Sequence, residues 1–226
     1  MSSVGIIANP LAGKDIRRLV SQANVVSNQE KANTLRRVFS GLLTMGVKKI
    51  FVMPDITDLT REAREDVQGK IDIKLLEIGR IDQTGTSTIA AELMEQNNVD
   101  CIITLGGDGT TLRTFRNLRN ETPILTINVG GNRGILSEIT LDDFDDAITA
   151  IGKDQIWLDK RTRVAASCNG EEFAPALNEV YVNRKNLTKT AEFEIKFQND
   201  TVKQKMDGVI ISTPSGSTGH SFSIGG

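Results

Sequence analysis

In the first half of the chain, short apolar runs alternate with longer segments in which apolar residues recur at helical spacing. The segment 28–45 places five apolar side chains on one face of a helix: Leu35, Val38, Phe39, Leu42 and Leu43. Strands are predicted at 4–8, 49–53, 72–78, 100–105 and 123–128, and further helices at 87–96, 111–118 and 141–151. This alternation predicts a parallel sheet covered by helices, a Rossmann-like α/β arrangement.

After about residue 153 the pattern changes, because strand-like runs follow one another without long helices between them. Candidate strands are 163–167, 172–183, 192–197, 201–205 and 209–212. Asn169-Gly170 and Asn199-Asp200 are expected to form tight hairpin turns. We therefore predict an α/β domain over residues 1–150 and a β-rich, antiparallel domain over 151–226.

The composition is that of a soluble globular protein, with 38% hydrophobic and 25% charged residues among 226. A net charge of −2 argues against bulk attraction to nucleic acid or to an anionic membrane. No apolar run is long enough to span a membrane and the start shows no secretory signal, so a cytoplasmic protein is expected. Cys101 and Cys168 lack the spacing of metal ligands. His220 is the only histidine, which excludes a multi-histidine metal site. No metal ligand is therefore predicted.

A glycine-rich turn follows the predicted strand 100–105 and leads into a helix; it reads Gly106-Gly107-Asp108-Gly109-Thr110. Glycines let backbone N–H groups approach a phosphate chain, and the helix N-terminus adds partial positive charge. Asp108 would then lie at the carboxyl edge of the sheet, where ligands of parallel sheets bind. The alternative is a structural strand-to-helix turn in which Asp108 is the helix N-cap.

A second glycine-rich segment, Asn128 to Leu136, follows the next predicted strand. Two neighbouring strands that both end in glycine loops form a crevice suited to a ligand with several phosphates. The alternative is a loop that binds no ligand.

Two further polar segments lie in the second half. Within the stretch 207–221, an apolar strand is followed by a hydroxyl-rich segment, 213–221, which offers many hydrogen-bonding groups to a sugar or to phosphates. Asn178-Glu179 interrupts an apolar strand, and its amide and carboxylate are suited to ribose hydroxyls or a base. The alternatives are a polar surface loop and a solvent-facing strand position.

Taken together, the Gly-Gly-Asp-Gly-Thr at 106–110, the Asn-Glu at 178–179 and the Thr-Pro-Ser-Gly-Ser-Thr-Gly-His-Ser at 213–221 resemble the NAD kinase family in order and spacing. The segment 5–18 looks more like the ATP-NAD/AcoX-type proteins of the same superfamily. The resemblance implies a groove between two domains, NAD and ATP as substrates, Mg²⁺ as the metal that accompanies ATP, and a homodimer or homotetramer.

The resemblance also implies roles for particular residues. Asp108 matches the catalytic base. The phosphates and the dinucleotide would be bound by Gly106, Gly107, Gly109, Thr110, Arg113, Asn128, Asn178, Glu179, Asp207, Thr213, Ser215, Thr218, Gly219, His220 and Ser221, with Asn9 as a further candidate. The chain departs from the family at Gly219-His220, where a tyrosine is usual, and at Gly134–Glu138. It also ends earlier than family members do, so the second domain is expected to be incomplete at its C-terminus.

The implied reaction is phosphoryl transfer from ATP to the 2′-hydroxyl of the adenosine ribose of NAD. Two alternatives remain open at this point. One is a lipid or other small-molecule kinase of the same superfamily, and the other is a noncatalytic dinucleotide-binding regulator. The choice between ATP and polyphosphate, or between NAD and NADH, does not follow from the sequence.

Overall fold

The computed structural model describes residues 1–12, 27–79, 85–129, 134–137, 139–140, 142–186 and 188–225. The chain divides into two compact units, Met1–Asp159 and Lys160–Gly226. Residue 150, where the sequence pattern suggested a boundary, lies within a helix of the first unit. No helix among the described residues is both long and apolar enough to cross a membrane.

Strands and helices alternate along the first unit. They are β1 (Ser3–Ala8), α1 (Asn28–Thr44), β2 (Lys49–Val52), α2 (Arg61–Asp66), β3 (Asp72–Leu75), α3 (Thr86–Gln96), β4 (Cys101–Leu105), α4 (Asp108–Phe115), β5 (Ile124–Ile127) and α5 (Phe144–Gly152). The five strands form one parallel sheet in the order β3-β2-β1-β4-β5. The predicted fold class is confirmed for this unit.

Strands β1, β2 and β4 are almost fully buried, which explains their apolar runs, whereas β3 at the edge of the sheet is mostly exposed. On one face, α1, α2 and α5 pack against Ile6, Ile50 and Ile103. On the other face, α3 packs against Ile7, Phe51 and Ile102. The helical face predicted for 28–45 is correct: Leu35, Val38, Phe39 and Leu42 are fully buried, and Leu43 packs against the same cluster.

Two helix starts show how local chemistry sets the boundaries. Helix α1 begins with a capping box, in which the Ser27 hydroxyl accepts from the backbone N–H of Glu30 and the Glu30 carboxylate accepts from that of Ser27. Helix α4 begins at Asp108, three residues before the predicted start, with Gly107 as its N-cap. The three-residue shift puts the aspartate inside the first helical turn.

The second unit is β-rich and antiparallel, as predicted. Its elements are β6 (Ser167–Cys168), β7 (Glu171–Glu172), β8 (Glu179–Asn183), β9 (Ala191–Phe197), β10 (Asp200–Met206), β11 (Gly208–Ser212), a 3₁₀ helix (Ser215–Thr218) and α6 (His220–Ser223). They form three two-stranded sheets, β6-β7, β8-β11 and β9-β10. The hydroxyl-rich segment, interpreted as a loop, is therefore largely helical.

Hairpin turns in this unit were predicted with mixed success. Asn169 and Gly170 both have positive φ (52° and 84°), which is the geometry of a type I′ turn, and they connect β6 to β7 as expected. The other turn is one residue earlier than predicted: Asp200 pairs with Phe197, so the loop residues are Gln198 and Asn199.

Candidate functional site

The glycine–aspartate turn lies at the point where the order in which strands are added to the sheet reverses. The chain runs outward from β1 through β2 to β3 and then crosses to β4 on the other side of β1. Loops that leave the carboxyl ends of such neighbouring strands diverge and form a crevice in which ligands bind. The turn 106–110 follows β4, and Asn9 follows β1, so both border this crevice.

Hydrogen bonds join these two loops. Asn9 donates from its backbone N–H to the Leu105 carbonyl (3.0 Å) and from its side-chain amide to the Thr110 hydroxyl (3.1 Å). Thr110 is buried, and its backbone N–H donates to the carbonyl of Gly107 at 2.9 Å. Asn9 and the Thr110 side chain therefore hold the turn in shape.

Gly106 and Gly107 of the turn differ in whether the surrounding protein leaves room for a side chain. A Cβ at Gly106 would lie 2.4 Å from the Thr110 hydroxyl oxygen, so this position has no room for a side chain. At Gly107 no atom of the described residues lies within 4 Å of an added Cβ, and the φ angle is −101°. Packing within the protein therefore does not require glycine at Gly107, whereas close approach of a ligand to the backbone would.

Asp108 does not cap helix α4, which corrects the structural alternative considered above. Its carboxylate accepts four hydrogen bonds from the segment 135–137, counted among the described residues. Three are backbone N–H groups, and the fourth is the Ser137 hydroxyl at 2.7 Å. The aspartate thus fastens the start of α4 to the segment that follows β5.

The close approach of that segment requires glycine at one position. A Cβ on Gly134 would lie 1.9 Å from Asp108 Oδ1 and 2.6 Å from the Ser137 hydroxyl oxygen. Asn128, at the end of β5, is buried, and its backbone N–H donates to the Ile139 carbonyl at 2.8 Å. Gly130, Gly131, Asn132 and Arg133 of the second glycine-rich segment lie outside the described residues.

Arg113 lies one helical turn beyond Gly109 on α4. Its Nε is buried and has no hydrogen-bond partner among the described residues. One guanidinium nitrogen, Nη1, lies 3.8 Å from where a Gly109 Cβ would be. Burial, together with the charge of Arg116, lowers the pKa of the Arg113 guanidinium from its ordinary value. A guanidinium whose Nε has no partner among the described residues, beside a glycine turn, is well suited to an anionic ligand.

Three candidate residues of the second unit, Asn178, Glu179 and Gly219, form a polar cluster. Asn178 and Glu179 lie at the start of β8 rather than within an apolar strand, which corrects that part of the sequence interpretation. One carboxylate oxygen of Glu179, Oε2, is buried without a hydrogen-bond partner among the described residues. A Cβ on Gly219 would lie 3.5 Å from this oxygen and 3.6 Å from the Asn178 amide nitrogen.

Some side chains of the hydroxyl-rich segment form hydrogen bonds within the second unit. The Thr213 hydroxyl donates to the Leu177 carbonyl and accepts from the backbone N–H of Gly216. The Ser215 hydroxyl accepts from Arg161 at 3.3 Å. Thr218 is exposed and Ser221 is partly exposed, and no hydrogen bond of either side chain is found in the described structure.

Asp207 is not brought to this cluster. It precedes β11, whereas Thr213 follows that strand, and six residues of extended chain separate the two ends by roughly 20 Å. The Asp207 side chain is exposed and forms an ion pair with Arg184 at 3.1 Å. The sequence motif placed Asp207 near the other residues along the chain, but the direction of β11 separates them in space.

No group of three or more His, Cys, Asp or Glu side chains with the arrangement of a metal site occurs within the described part of the chain. The one carboxylate of the glycine turn, Asp108, is engaged by protein donors. A divalent cation at this turn would therefore take most of its ligands from a bound phosphate chain, which is how Mg²⁺ commonly binds in phosphoryl-transfer sites.

Comparison with known proteins decides the family. The family models for the ATP-NAD kinase N-terminal domain and C-terminal domain match residues 4–156 and 177–226. The chain belongs to the NAD kinase family. It is 39% identical over 131 residues to a protein named NAD kinase from Methanothermobacter thermautotrophicus, covering 57% of this chain and 46% of that one. It is 31% identical over 175 residues to a protein of the same name from Methanosarcina mazei, covering 76% and 59%.

A solved structure shares the fold. It is an NAD kinase from Archaeoglobus fulgidus in complex with ATP, with a TM-score of 0.54 and 24% identity, covering 79% of this chain and 65% of that one. The chain spans about half the length of the curated NAD kinases it matches.

Two residues that the motif comparison did not single out emerge from the structure. Ser137 contacts Asp108 directly, and Tyr181 of β8 packs edge-on against the His220 ring, with centroids 5.7 Å apart. Ser137 lies in the segment where the chain departs from the usual NAD kinase pattern. The separation of 29 residues from Asp108 leaves no local sequence signal for that pair.

Proposed function

We propose that the protein is an NAD kinase, which transfers the terminal phosphoryl group of ATP to the 2′-hydroxyl of the adenosine ribose of NAD. The observation that carries this proposal is the glycine–aspartate turn 106–110 at the switch point of the parallel sheet, in a chain of this family. This turn places a helix N-terminus, glycine backbone and a carboxylate together at one edge of the sheet.

In the first unit, the phosphates of ATP would bind at the N-terminus of α4. The backbone of Gly107 and Gly109 is accessible, and the helix dipole favours an anion at this end. Arg113 supplies a guanidinium whose Nε has no hydrogen-bond partner in the described part of the chain. Gly106, Thr110 and Asn128 would act by shaping the turn, since their positions are buried and tightly packed.

Mg²⁺ would arrive with ATP and neutralise phosphate charge. Asp108 would orient the ribose hydroxyl and accept its proton during the transfer. Most of the rate enhancement would come from positioning and electrostatics, because this kind of reaction needs no covalent intermediate.

In the second unit, the nucleoside part of NAD would bind at Asn178, Glu179 and Gly219. The unpartnered Glu179 oxygen is a ready acceptor for a hydroxyl or amino group, and it lies beside a glycine that leaves room for one. His220 would stack on a base with its ring, which Tyr181 holds from the side. Thr218 and Ser221 would supply hydroxyl groups, whereas Thr213 and Ser215 would act through the shape of the segment.

We further propose a cytoplasmic protein that assembles as a homodimer or homotetramer. Sedimentation of the purified full-length protein would test the assembly, and a monomer at micromolar concentration would contradict it.

The function is tested by incubating the full-length protein with ATP, Mg²⁺ and NAD and measuring NADP with an NADP-specific dehydrogenase. We expect NADP to accumulate, and omission of ATP to abolish it unless polyphosphate is supplied. If NAD binds but no ATP is consumed, the noncatalytic regulator is correct. If ATP is consumed only with a lipid acceptor, the lipid kinase is correct.

A further inference from the structure

The hydrogen bonds to Asp108 are distributed unevenly between its two oxygens. Oδ1 accepts from the backbone N–H of Leu136 (3.2 Å), from that of Ser137 (3.1 Å) and from the Ser137 hydroxyl (2.7 Å). Oδ2 accepts only from the backbone N–H of Ile135 (3.0 Å) among the described residues. A carboxylate oxygen offers about two lone-pair directions, so Oδ1 is saturated and Oδ2 has room for one more donor.

The donors to Oδ1 are held by the sheet. Ser137 is fully buried, and Asp108 is the hydrogen-bond partner of its hydroxyl. Two residues further on, Ile139 forms a parallel bridge with Ile127 at the end of β5, and its carbonyl accepts from Asn128. The pairing of Ile139 with the end of β5 therefore fixes where the donors to the Asp108 carboxylate lie.

The torsion that orients a carboxylate is soft, because rotation about a bond between sp³ and sp² carbons has broad minima. Which Asp108 oxygen faces the crevice is therefore decided by its donors. The Ser137 hydroxyl is the shortest of these contacts and the only one from a side chain.

We propose that Ser137 is a positioning residue: it fixes the Asp108 carboxylate so that Oδ2 accepts the hydroxyl of the phosphoryl acceptor. The inference rests on the proposed function, and it adds an assignment to one oxygen atom and a residue outside the recognised motifs. Without the hydroxyl, the carboxylate rotates and the acceptor hydroxyl is less often aligned. We expect binding of both substrates to persist, because Ser137 is fully buried and its hydroxyl is directed to Asp108.

The test compares Ser137→Ala, Ser137→Thr and Thr34→Val in the full-length protein, with kcat and the two KM values measured separately. Ser137→Ala should lower kcat by about tenfold or more and leave both KM values within about twofold. Ser137→Thr keeps the hydroxyl and should recover most of kcat. Thr34→Val also removes a buried hydroxyl, one that donates to the Glu30 carbonyl in α1, and should leave kcat unchanged.

An unchanged kcat in folded Ser137→Ala, or a rise in KM alone, overturns the inference. If Ser137→Thr does not fold, the comparison of Ser137→Ala with Thr34→Val still decides. An inactive wild type overturns the proposed function instead, and a double-mutant cycle in thermal unfolding then tests the contact by itself. Removal of the hydroxyl should shift the unfolding midpoint about half as much, or less, in an Asp108→Asn background. Equal shifts in both backgrounds would show that Ser137 does not hold the carboxylate.

Discussion

The substitution Gly107→Ala tests whether glycine is needed at this turn for folding or for binding a ligand. An added methyl group meets no atom within 4 Å in the part of the chain that the structure describes, and the backbone at Gly107 has a negative φ, so we expect the protein to accommodate alanine. Loss of a glycine N-cap costs roughly 0.5–1 kcal/mol, and the reduced freedom of the unfolded chain returns a similar amount. We expect the melting temperature to change by no more than about 3 °C.

The same methyl group would project into the space that a phosphate chain needs in order to reach the backbone N–H groups of α4. Loss of one hydrogen bond to a charged group corresponds to roughly 1.5–3 kcal/mol, which raises the KM for ATP about 10- to 150-fold. The assay is NADP formation at varied ATP, with thermal unfolding measured alongside. Gly152→Ala is the matched control, because its methyl group also meets no described atom within 4 Å but lies at the end of α5.

Two results would refute this reasoning. If Gly107→Ala binds ATP as well as the wild type does, the phosphates do not lie against this part of the backbone. If it unfolds several degrees lower while Gly152→Ala does not, glycine is required by the fold, and the loss of activity carries no information about a ligand.

Three further predictions concern a close approach at Gly134, a buried carboxylate at Glu95 and the two cysteines. Gly134→Ala should destabilise the protein by roughly 1–3 kcal/mol and abolish NADP formation, because its Cβ lies 1.9 Å from Asp108 Oδ1; normal unfolding and activity would contradict the close approach. Glu95→Gln should cost roughly 1–3 kcal/mol in urea unfolding with kcat unchanged, because the buried carboxylate accepts from two backbone N–H groups after α4 at 2.8 and 2.9 Å. Cys101 is partly buried and burial raises the pKa of its thiol to about 12, whereas Cys168 is exposed, so a thiol reagent at pH 8 should modify Cys168 much faster than Cys101 in the native protein and both cysteines rapidly in urea.

The sequence was most informative where burial is complete. All five strands of the first unit were predicted, and the signal is clearest for β1, β2 and β4, which are almost fully buried; β3, at the edge, is mostly exposed. The second unit was harder to predict, since β6 and β7 have two residues each and are exposed. Pairing rather than burial defines those strands, so a continuous strand at 172–183 was predicted where the structure has two.

The short helix α2 (Arg61–Asp66) was not predicted at all. It has six residues, and Ala63 is its only buried residue, so it shows too few apolar positions for a helical period to be visible. Asp207 was assigned to the dinucleotide pocket from the family motif, and the motif does not show that β11 separates Asp207 from Thr213 in space.

The role of Asp108 illustrates what a motif leaves undecided. The glycine pattern places a carboxylate at the edge of the sheet, but whether that carboxylate is available to a substrate depends on donors 27–29 residues later in the chain. Since both oxygens already accept from the protein, Asp108→Asn is not a neutral isostere: its amide nitrogen would oppose either the Ile135 N–H or the three donors on the other side. Loss of turnover in that variant would therefore follow equally from loss of a base and from displacement of the segment. Only a change that leaves the carboxylate in place and alters its donors, as at Ser137, distinguishes the two.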